Sequence, residues 1–389
     1  MFKFLTCGES HGKMLAAILE GLPSGLEILE QEINIDLRRR QQGYGRGDRM
    51  NIENDTAQII SGVRWGLTTG SPIGLLIENK DWMNRQKEMS IYPEDANWQD
   101  AITSPRPGHA DLAGMLKYNI ADAKPILERA SARNTASQVA VGAICKKFLK
   151  ELGVEIIGYV RAIGNVDSGN SEIQPENIEK FRQKIEASEV RCLDEKIAEK
   201  MIEHIKETKE KGDTLGGKIC VNIFGIVVGI GSHIQYDKRL DSGLAQAMIG
   251  IPSVKSVVIG DENVMEIAGT KAHDPIVYST EKSFHHSTNN TGGIEGGMSN
   301  GETIKITVGL KPIPTLLNPL LSVDIKTKQT VKAATVRSDV SVAASAVVVA
   351  EAMAAIKLTE FYLEKFGGDS MTEIKNNLEN YKKMIKTGF

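Results

Sequence analysis

The chain has 389 residues, a formal net charge of −3 and a charged fraction of 25%. This composition is typical of a soluble globular protein, and the small acidic excess with few aromatic residues argues against a nucleic-acid partner. No run of eighteen apolar residues occurs and the first ten residues lack a secretory signal, so we expect a cytoplasmic protein that binds no membrane. The four cysteines are far apart, which predicts neither disulfides nor a metal site.

Strands and helices are both predicted along the chain. Apolar patterning predicts strands at residues 2–6, 73–77, 154–163, 218–230 and 303–310. Two strong helices are expected at residues 131–152, ending before Gly153, and at residues 340–366, where the run is apolar on most faces. These elements predict an α+β protein with a single domain over residues 1–389.

Two segments are predicted to be polar helices. Residues 168–212 are rich in Glu, Lys and Gln at helical spacing, which indicates a charged excursion on the outside of the fold. The last twenty residues are amphipathic, and two interpretations remain for them. They pack on a neighbouring subunit, or they fray.

Five arginines lie within twelve residues, at Arg38, Arg39, Arg40, Arg46 and Arg49. Guanidinium groups match phosphate or carboxylate oxygens with paired donors, and the glycines of segment 43–47 let backbone N–H groups approach a ligand. The pattern predicts a binding site for a small anion. A solvated loop or an exposed helix end is the alternative.

Segment 8–12, Gly-Glu-Ser-His-Gly, matches the Gly-x-Ser-x-Gly pattern of the hydrolase nucleophile elbow. Only one short strand precedes it and no oxyanion loop comes earlier in the chain, so we reject a serine hydrolase. Ser10 and His11 remain on a tight turn that can face a ligand. His109 follows a second rigid turn after Arg106. Each histidine can act as an acid near an anion, and a structural role is the alternative for His109.

Three later segments carry further candidates. Residues 128–133 begin the first long helix, where free N–H groups favour an anion, although Ser131 as an N-cap is the alternative. The glycines of segment 292–297 allow the backbone close to a flat or bulky group, and segment 311–315 is a stiff cationic loop. Asp339 follows Arg337 and precedes the apolar helix, so it is an N-cap or a proton acceptor.

Taken in order, segments 8–12, 38–49, 106–111, 129–133, 292–301 and 337–339 resemble the chorismate synthase family. The resemblance implies a phosphate lyase that converts 5-enolpyruvylshikimate 3-phosphate to chorismate, with reduced FMN required although there is no net redox change. It also implies a βαβ sandwich of two antiparallel sheets wrapped by helices, a homotetramer, and NADPH as a candidate reductant. The substrate carries a phosphate and two carboxylates, which agrees with the arginines.

The resemblance also assigns residues. It implies His11 as an acid near the leaving phosphate, His109 beside flavin N1, and Asp339 as the base that relays a proton from flavin N5. It assigns substrate binding to Ser10, Arg40, Arg46, Arg49, Arg106, Arg133 and Arg337. It assigns flavin binding to Arg129, Ala130, Ser131, Pro252, Ser253, Gly296, Lys311, Pro312, Ile313, Pro314, Thr315 and Arg337.

Some positions depart from the family pattern. Asn134 stands where the family usually has Glu, His286 stands where an arginine commonly precedes the glycine-rich turn, and segment 250–260 differs at several positions. Two other function classes share the same residues. One is a flavin reductase that passes electrons onward, and the other is a non-catalytic anion-binding module.

Overall fold

The fold is described from a computed structural model, for residues 2–46, 54–281, 283–335 and 339–387. Arg49 and Arg337, both predicted to bind substrate, lie outside these ranges, and Arg337 is also a predicted flavin residue. Among the described helices, none is both long and apolar enough to cross a membrane.

The first sheet is antiparallel, with strand order β1–β2–β6–β3. Its strands are β1 (Lys3–Cys7), β2 (Met14–Glu20), β3 (Ala57–Ser61) and β6 (Ile73–Glu78). Between β3 and β6 the chain forms a small hairpin of β4 (Val63–Arg64) and β5 (Leu67–Thr68). Alternate residues of β2, namely Leu15, Ala17 and Leu19, are buried because successive side chains of a strand point to opposite faces. One face of this sheet therefore covers the core.

The second sheet is also antiparallel, with strand order β10–β15–β9–β7–β8. Its strands are β7 (Glu155–Ile163), β8 (Val166–Asp167), β9 (Gly217–Phe224), β10 (Val254–Ile259) and β15 (Ile304–Leu310). The strand predicted at 218–230 ends early, because Gly225 turns the chain at φ +73° and a Cβ there would lie 2.0 Å from the Gly153 carbonyl oxygen. Three hairpins complete the strands: β11 (Ile276–Ser279) with β12 (Ser283–His286), β13 (Ile294–Glu295) with β14 (Met298–Ser299), and β16 (Leu321–Val323) with β17 (Thr330–Lys332).

Three long helices lie between the two sheets: α1 (Glu30–Gln41), α5 (Thr135–Glu151) and α10 (Ala343–Phe366). Helix α5 contacts β2 and β6 of the first sheet, α10 contacts β7 and β9 of the second, and α5 packs on α10. Gly142 permits this crossing, since a Cβ there would lie 2.3 Å from the Ala352 Cβ. The α+β class with antiparallel sheets is confirmed. The predicted wrapping of the sheets by helices is not, because these helices pack on the inner faces.

The other helices are α2 (Trp82–Arg85), α3 (Asp111–Tyr118), α4 (Lys124–Arg129), α6 (Ile178–Ala187), α7 (Glu195–Glu210), α8 (Leu240–Ile249), α9 (Gly269–Ala272) and α11 (Met371–Thr387). The helical content predicted for 168–212 is confirmed by α6 and α7, but this segment is not only a solvated excursion. Ile185, Met201 and Ile205 on its inner side are buried.

The C-terminal helix and the cysteines are also placed. Helix α11 buries Met371, Ile374 and Leu378 in the main core of the same chain, so its first half is held by packing. All four cysteines are free thiols, and Cys145 is buried on α5.

Candidate functional site

Two arginines from distant parts of the chain meet on one buried carboxylate. Arg40, near the end of α1, donates from Nη2 to Asp55 Oδ2 at 2.7 Å, and Arg133 donates from Nη1 to Asp55 Oδ1 at 2.5 Å. None of the three residues is more than 4% exposed. Burial raises the pKa of Asp55, but the charges of Arg40 and Arg133 outweigh it and hold that pKa below its usual value. Two cations facing one anion leave an excess of positive charge.

Arg46 adds a third guanidinium to this cluster. Its Nε lies 3.3 Å from Asp339 Oδ2, and its Nη1 donates to Ser345 Oγ at 2.5 Å. Burial lowers the pKa of Arg40 to about 10; Asp55 opposes this shift, whereas the nearby charges of Arg46 and Arg133 add to it. The buried Arg40 Nε has no hydrogen-bond partner among the described residues. The cluster therefore suits an additional anion.

The other described arginines of segment 38–49 face elsewhere. Successive helical residues point about 100° apart, and Arg39 accordingly pairs with Glu351 in the core at 2.7 Å while Arg38 is exposed. The prediction that this whole arginine run serves one anion is wrong for Arg38 and Arg39.

His11 lies in the turn between β1 and β2. Gly8 opens that turn at φ +102°, where a Cβ would lie 2.4 Å from the Met14 carbonyl oxygen, so a side chain does not fit. The His11 backbone N donates to Glu128 Oε2, and its ring Nδ1 lies 2.7 Å from Glu128 Oε1. The buried Ser10 hydroxyl accepts a hydrogen bond from Ser131 Oγ at 3.0 Å. The turn is thus attached both to α4, through Glu128, and to Ser131 in the segment that follows it.

Asn79 joins this histidine turn to the arginine cluster. Its amide nitrogen donates to the carbonyl oxygens of Glu9 and Gly12 at 3.0 and 2.7 Å. Its amide oxygen accepts from Arg133 Nε at 2.9 Å. Asn79 is 3% exposed. A single buried side chain therefore fixes the position of the His11 turn relative to Arg133.

A second cluster surrounds Asp111 at the start of α3. Arg106 Nε donates to Asp111 Oδ2 at 2.8 Å, and His109 Nδ1 lies 2.5 Å from Asp111 Oδ1. Burial raises the pKa of Asp111, but hydrogen bonds from His109 and Arg106 reverse this and lower it far below the usual value. Arg106 Nη1 also donates to Thr315 Oγ1 at 3.0 Å. A cavity of about 850 Å³ opens beside Arg106 and His109.

The loop 311–315 lies against this second cluster. The Lys311 backbone N donates to the Ser253 carbonyl at 2.9 Å, and Lys311 Nζ donates to the Gly108 carbonyl. Burial and the charge of Lys255 lower the pKa of Lys311. Pro314 lies beside Gly108, while Pro312 and Pro252 are exposed. The structure thus brings the 252–253 and 311–315 segments to His109.

A continuous run of hydrogen bonds connects the two clusters. The Val340 N donates to the Gly45 carbonyl, next to Arg46, and the Leu215 N donates to the Val340 carbonyl. Thr214 Oγ1 then donates to the Ile313 carbonyl at 2.7 Å, within the 311–315 loop. Residues 214–215 and Val340 therefore link the segment that carries Arg46 to the 311–315 loop of the second cluster.

Comparisons with known proteins agree with this arrangement of segments. A family model described as chorismate synthase matches residues 2–363. A chorismate synthase of Aquifex aeolicus (strain VF5) is 49% identical over 391 aligned residues, which cover 99% of this chain and 98% of the relative. That of Geobacter sulfurreducens is 46% identical and covers 99% and 100%.

The chain belongs to the chorismate synthase family. A crystal structure of chorismate synthase matches the fold with a TM-score of 0.81 at 40% identity, covering 99% of this chain and 98% of that one. The family that the sequence motifs resemble is therefore confirmed.

Arg129, which the chorismate synthase resemblance assigned to flavin, has other partners here. Arg129 donates from Nη1 to the Gly8 carbonyl and from Nη2 to the Thr6 carbonyl, so its guanidinium holds the end of β1. The neighbouring Ala130 is half-buried. Asn134, where this family usually has Glu, donates from its amide to the Arg129 carbonyl. An amide at this position therefore satisfies a backbone oxygen that a carboxylate would not.

Gly296 lies in the β13–β14 hairpin. Its neighbour Gly297 accepts a hydrogen bond from the Leu240 N at the start of α8, and space above Gly296 is open for 4 Å among the described residues. In the same hairpin, Glu295 lies 3.3 Å from His286 Nε2, so the histidine that replaces the family's arginine faces a carboxylate. The described contacts tie this hairpin to α8 and β12 and do not join it to the 311–315 loop.

Asp339 is not the N-cap of the long helix. Helix α10 begins at Ala343 with Val342 as the preceding residue, and the carboxylate of Asp339 pairs with Arg46 instead. Ser131, by contrast, accepts from the Arg133 N and caps the short turn before α5, so the alternative of a capping role holds for that turn and not for the long helix itself.

Sequence reasoning missed Asp55 and Asn79, and noted Glu128 only as part of its segment. Asn79 follows the apolar strand β6 directly, and a polar residue at a strand end is a usable signal. Asp55 carries no such signal, because its two arginine partners are 15 and 78 residues away.

Proposed function

We propose that this chain catalyses the reaction of its family, the loss of phosphate from 5-enolpyruvylshikimate 3-phosphate to give chorismate, in the shikimate pathway to aromatic amino acids. The observation that carries the proposal is the cluster in which Arg40 and Arg133 pair with Asp55 while Arg46 pairs with Asp339, so that three cations face two carboxylates. A substrate with one phosphate and two carboxylates supplies the missing negative charge. Arg106 lies in the second cluster and completes the cationic side of the site.

We assign the proton transfers to His11, His109 and Asp339. Asn79 fixes the turn of His11 to Arg133, so an anion bound by that arginine lies near the histidine ring, which suits an acid acting on the leaving phosphate. The carboxylate of Asp339 is held 3.3 Å from Arg46 Nε, beside the anion-binding arginines, in a position that suits a base. Ser10 stands beside His11 with its hydroxyl fixed by Ser131, in a position to bind substrate.

The residues of the second cluster fit a reduced flavin. Lys311 and Lys255 are neighbouring cations, and both the burial of Lys311 and the charge of Lys255 disfavour the charged form of Lys311. An anionic group such as the FMN phosphate or the reduced flavin ring would offset this cost. Ser253, Lys311 and Thr315 would hold the cofactor beside His109, with Pro252, Pro312, Ile313 and Pro314 around them. When bound, reduced FMN supplies electron density as the phosphate leaves and recovers it as the ring hydrogen departs.

We further propose a cytoplasmic homotetramer of single-domain subunits. One apolar core joins residues from both sheets and from α1, α5, α10 and α11, which supports a single domain. Large apolar side chains are exposed on the first sheet, with Leu5 at 69% and Ile18 at 53% on paired strands. Such side chains are typical of surfaces that a second subunit covers.

An anaerobic assay tests the function. The protein is mixed with chemically reduced FMN and substrate, and phosphate, chorismate and the flavin spectrum are followed together. We expect phosphate release with the flavin still reduced at the end. Flavin that ends oxidised would favour the reductase, and binding without turnover would favour an anion-binding module. Repeating the assay with NADPH as the only reductant shows whether the chain reduces its own flavin or depends on a separate reductase.

Arginine variants test the site. Arg46→Ala removes a cation from the cluster without leaving Asp55 unpaired, and we expect kcat/KM to fall by about a hundredfold or more. The control is Arg64→Ala, whose exposed guanidinium stacks on Trp65 at 4.0 Å, away from the cluster. Equal activities of the two variants would contradict substrate binding at this cluster.

A further inference from the structure

The side chain of Glu128 contacts His11 at two points. Glu128 lies on α4 and is 3% exposed. Its Oε2 accepts from the His11 backbone N at 2.7 Å, and its Oε1 lies 2.7 Å from the ring Nδ1. Its backbone carbonyl also accepts from the Ser10 N at 3.2 Å. The imidazole is therefore fixed both in position and in the direction its ring faces.

These contacts also decide which ring nitrogen carries the proton. A neutral imidazole has one N–H donor and one acceptor nitrogen, whereas an ionised carboxylate only accepts. Nδ1 must therefore carry hydrogen to bond Glu128, and Nε2 is the nitrogen that gains and loses the exchangeable proton. The nearest described carboxylate to Nε2 is Asp81, whose Oδ2 lies 4.0 Å away, beyond hydrogen-bond distance.

His109 repeats the arrangement in the second cluster. Its Nδ1 lies 2.5 Å from the fully buried Asp111 Oδ1. Each of these two histidines, from unrelated turns, thus has its own buried carboxylate beside Nδ1. Asp111 also accepts hydrogen bonds from three nitrogens of Arg106, so its substitution would disturb more than the histidine. Glu128 is the better residue to test.

We propose that Glu128 is a positioning residue for His11: it fixes the hydrogen on Nδ1 so that Nε2 delivers the proton to the leaving group. This inference rests on the acid role given to His11 under the proposed function. Glu128 itself does not touch the substrate. The competing explanation is structural, in which Glu128 only attaches the β1–β2 turn to α4.

Glu128→Gln separates these explanations because it keeps the volume and the bond to the His11 backbone. The amide oxygen accepts from that N–H, and the amide nitrogen then donates to Nδ1, which moves the hydrogen of the neutral ring to Nε2. We expect kcat to fall about 10²- to 10⁴-fold, the usual worth of positioned acid catalysis, with KM nearly unchanged. A higher KM or a lower Tm alone, with kcat retained, would overturn the proposal.

Two further measurements keep the test decisive. The ¹⁵N chemical shifts of the His11 ring are assigned by comparison with His11→Ala. They should show Nδ1–H in the neutral wild-type ring and Nε2–H in Glu128→Gln. The same tautomer in both proteins would overturn the inference without any assay of activity. The double variant His11→Ala with Glu128→Gln should be no slower than His11→Ala alone. Losses that multiply would favour the structural explanation.

The outcomes also separate this inference from the proposed function. If His11→Ala keeps near-normal turnover, the acid role of His11 fails. If His11→Ala is slow and Glu128→Gln is fast, only the positioning role of Glu128 fails.

Discussion

Glu351 is a fully buried carboxylate in the apolar helix α10 and connects three other elements to it. Its Oε2 lies 2.7 Å from Arg39 Nη1 of α1 and 3.3 Å from Lys146 Nζ of α5. Its Oε1 accepts from the Gly158 N of β7 at 2.8 Å. Glu351→Gln keeps the size and the hydrogen-bonding oxygen but removes the charge, leaving two cations without this counterion.

The expected cost follows from the partners that remain. Removing one member of a buried ion pair costs about 3–5 kcal/mol. Arg39 keeps Asp36 at 2.8 Å and Glu186 at 2.7 Å, so we expect the lower end, about 3 kcal/mol. The unfolding entropy is about 2.1 cal/mol/K per residue, or about 0.8 kcal/mol/K for a chain of 389 residues. The melting temperature should therefore fall by about 4 °C.

The effect should also depend on pH. Burial raises the pKa of Glu351, but the charges of Arg39 and Lys146 outweigh it, so the pKa in the folded protein lies below that in the unfolded chain. The stabilisation is then complete above the unfolded-state pKa of about 4.3 and is lost as the pH falls below it. The difference in melting temperature between wild type and Glu351→Gln should shrink in acid.

Calorimetric melting of matched variants measures both effects. The control is Glu364→Gln on the exposed face of the same helix, whose carboxylate pairs with Lys238 at the surface. Surface pairs contribute little, so the control should melt close to the wild type. Equal melting temperatures for the two variants, or a difference that does not change in acid, would refute the reasoning.

Three other outcomes follow from the structure. Gly142→Ala should destabilise the protein by about 1–3 kcal/mol in urea unfolding, because the new methyl group collides with Ala352. The control Gly250→Ala, where a Cβ has no atom closer than 3.3 Å, should not. Equal urea midpoints for the two variants would contradict the tight helix crossing. A thiol reagent should label exposed Cys7 in the native protein and spare Cys145, whose pKa burial raises to about 12, until denaturant is added; four fast thiols would contradict this burial. Asp55→Asn should lower the melting temperature, and inorganic phosphate should raise it more in this variant than in the wild type; equal responses to phosphate would argue against an anion site there.

The sequence predicted local features well. The helix at 131–152 ends at Gly153 as expected, and the strands at 73–77 and 303–310 are found within a residue of their predicted bounds. Apolar periodicity and a glycine stop are local signals, so no tertiary information is needed to use them.

Long-range contacts were beyond the reach of the sequence. Arg39 and Arg40 are adjacent and chemically identical, yet one enters the core and the other the candidate site, and only the packing of α1 against α5 and α10 decides which. Glu351 was hidden in an alanine-rich run for the same reason. Its partners Arg39 and Lys146 are 312 and 205 residues away.

Asn79 makes the spacing between the His11 turn and Arg133 independent of pH. An amide does not titrate, so its two donated bonds to the Glu9 and Gly12 carbonyls persist whatever the proton concentration. Aspartate in its place could still accept from Arg133, but it would turn an oxygen toward both carbonyls and repel the turn. The spacing across which we propose that His11 delivers its proton is thus set by a group that never exchanges one.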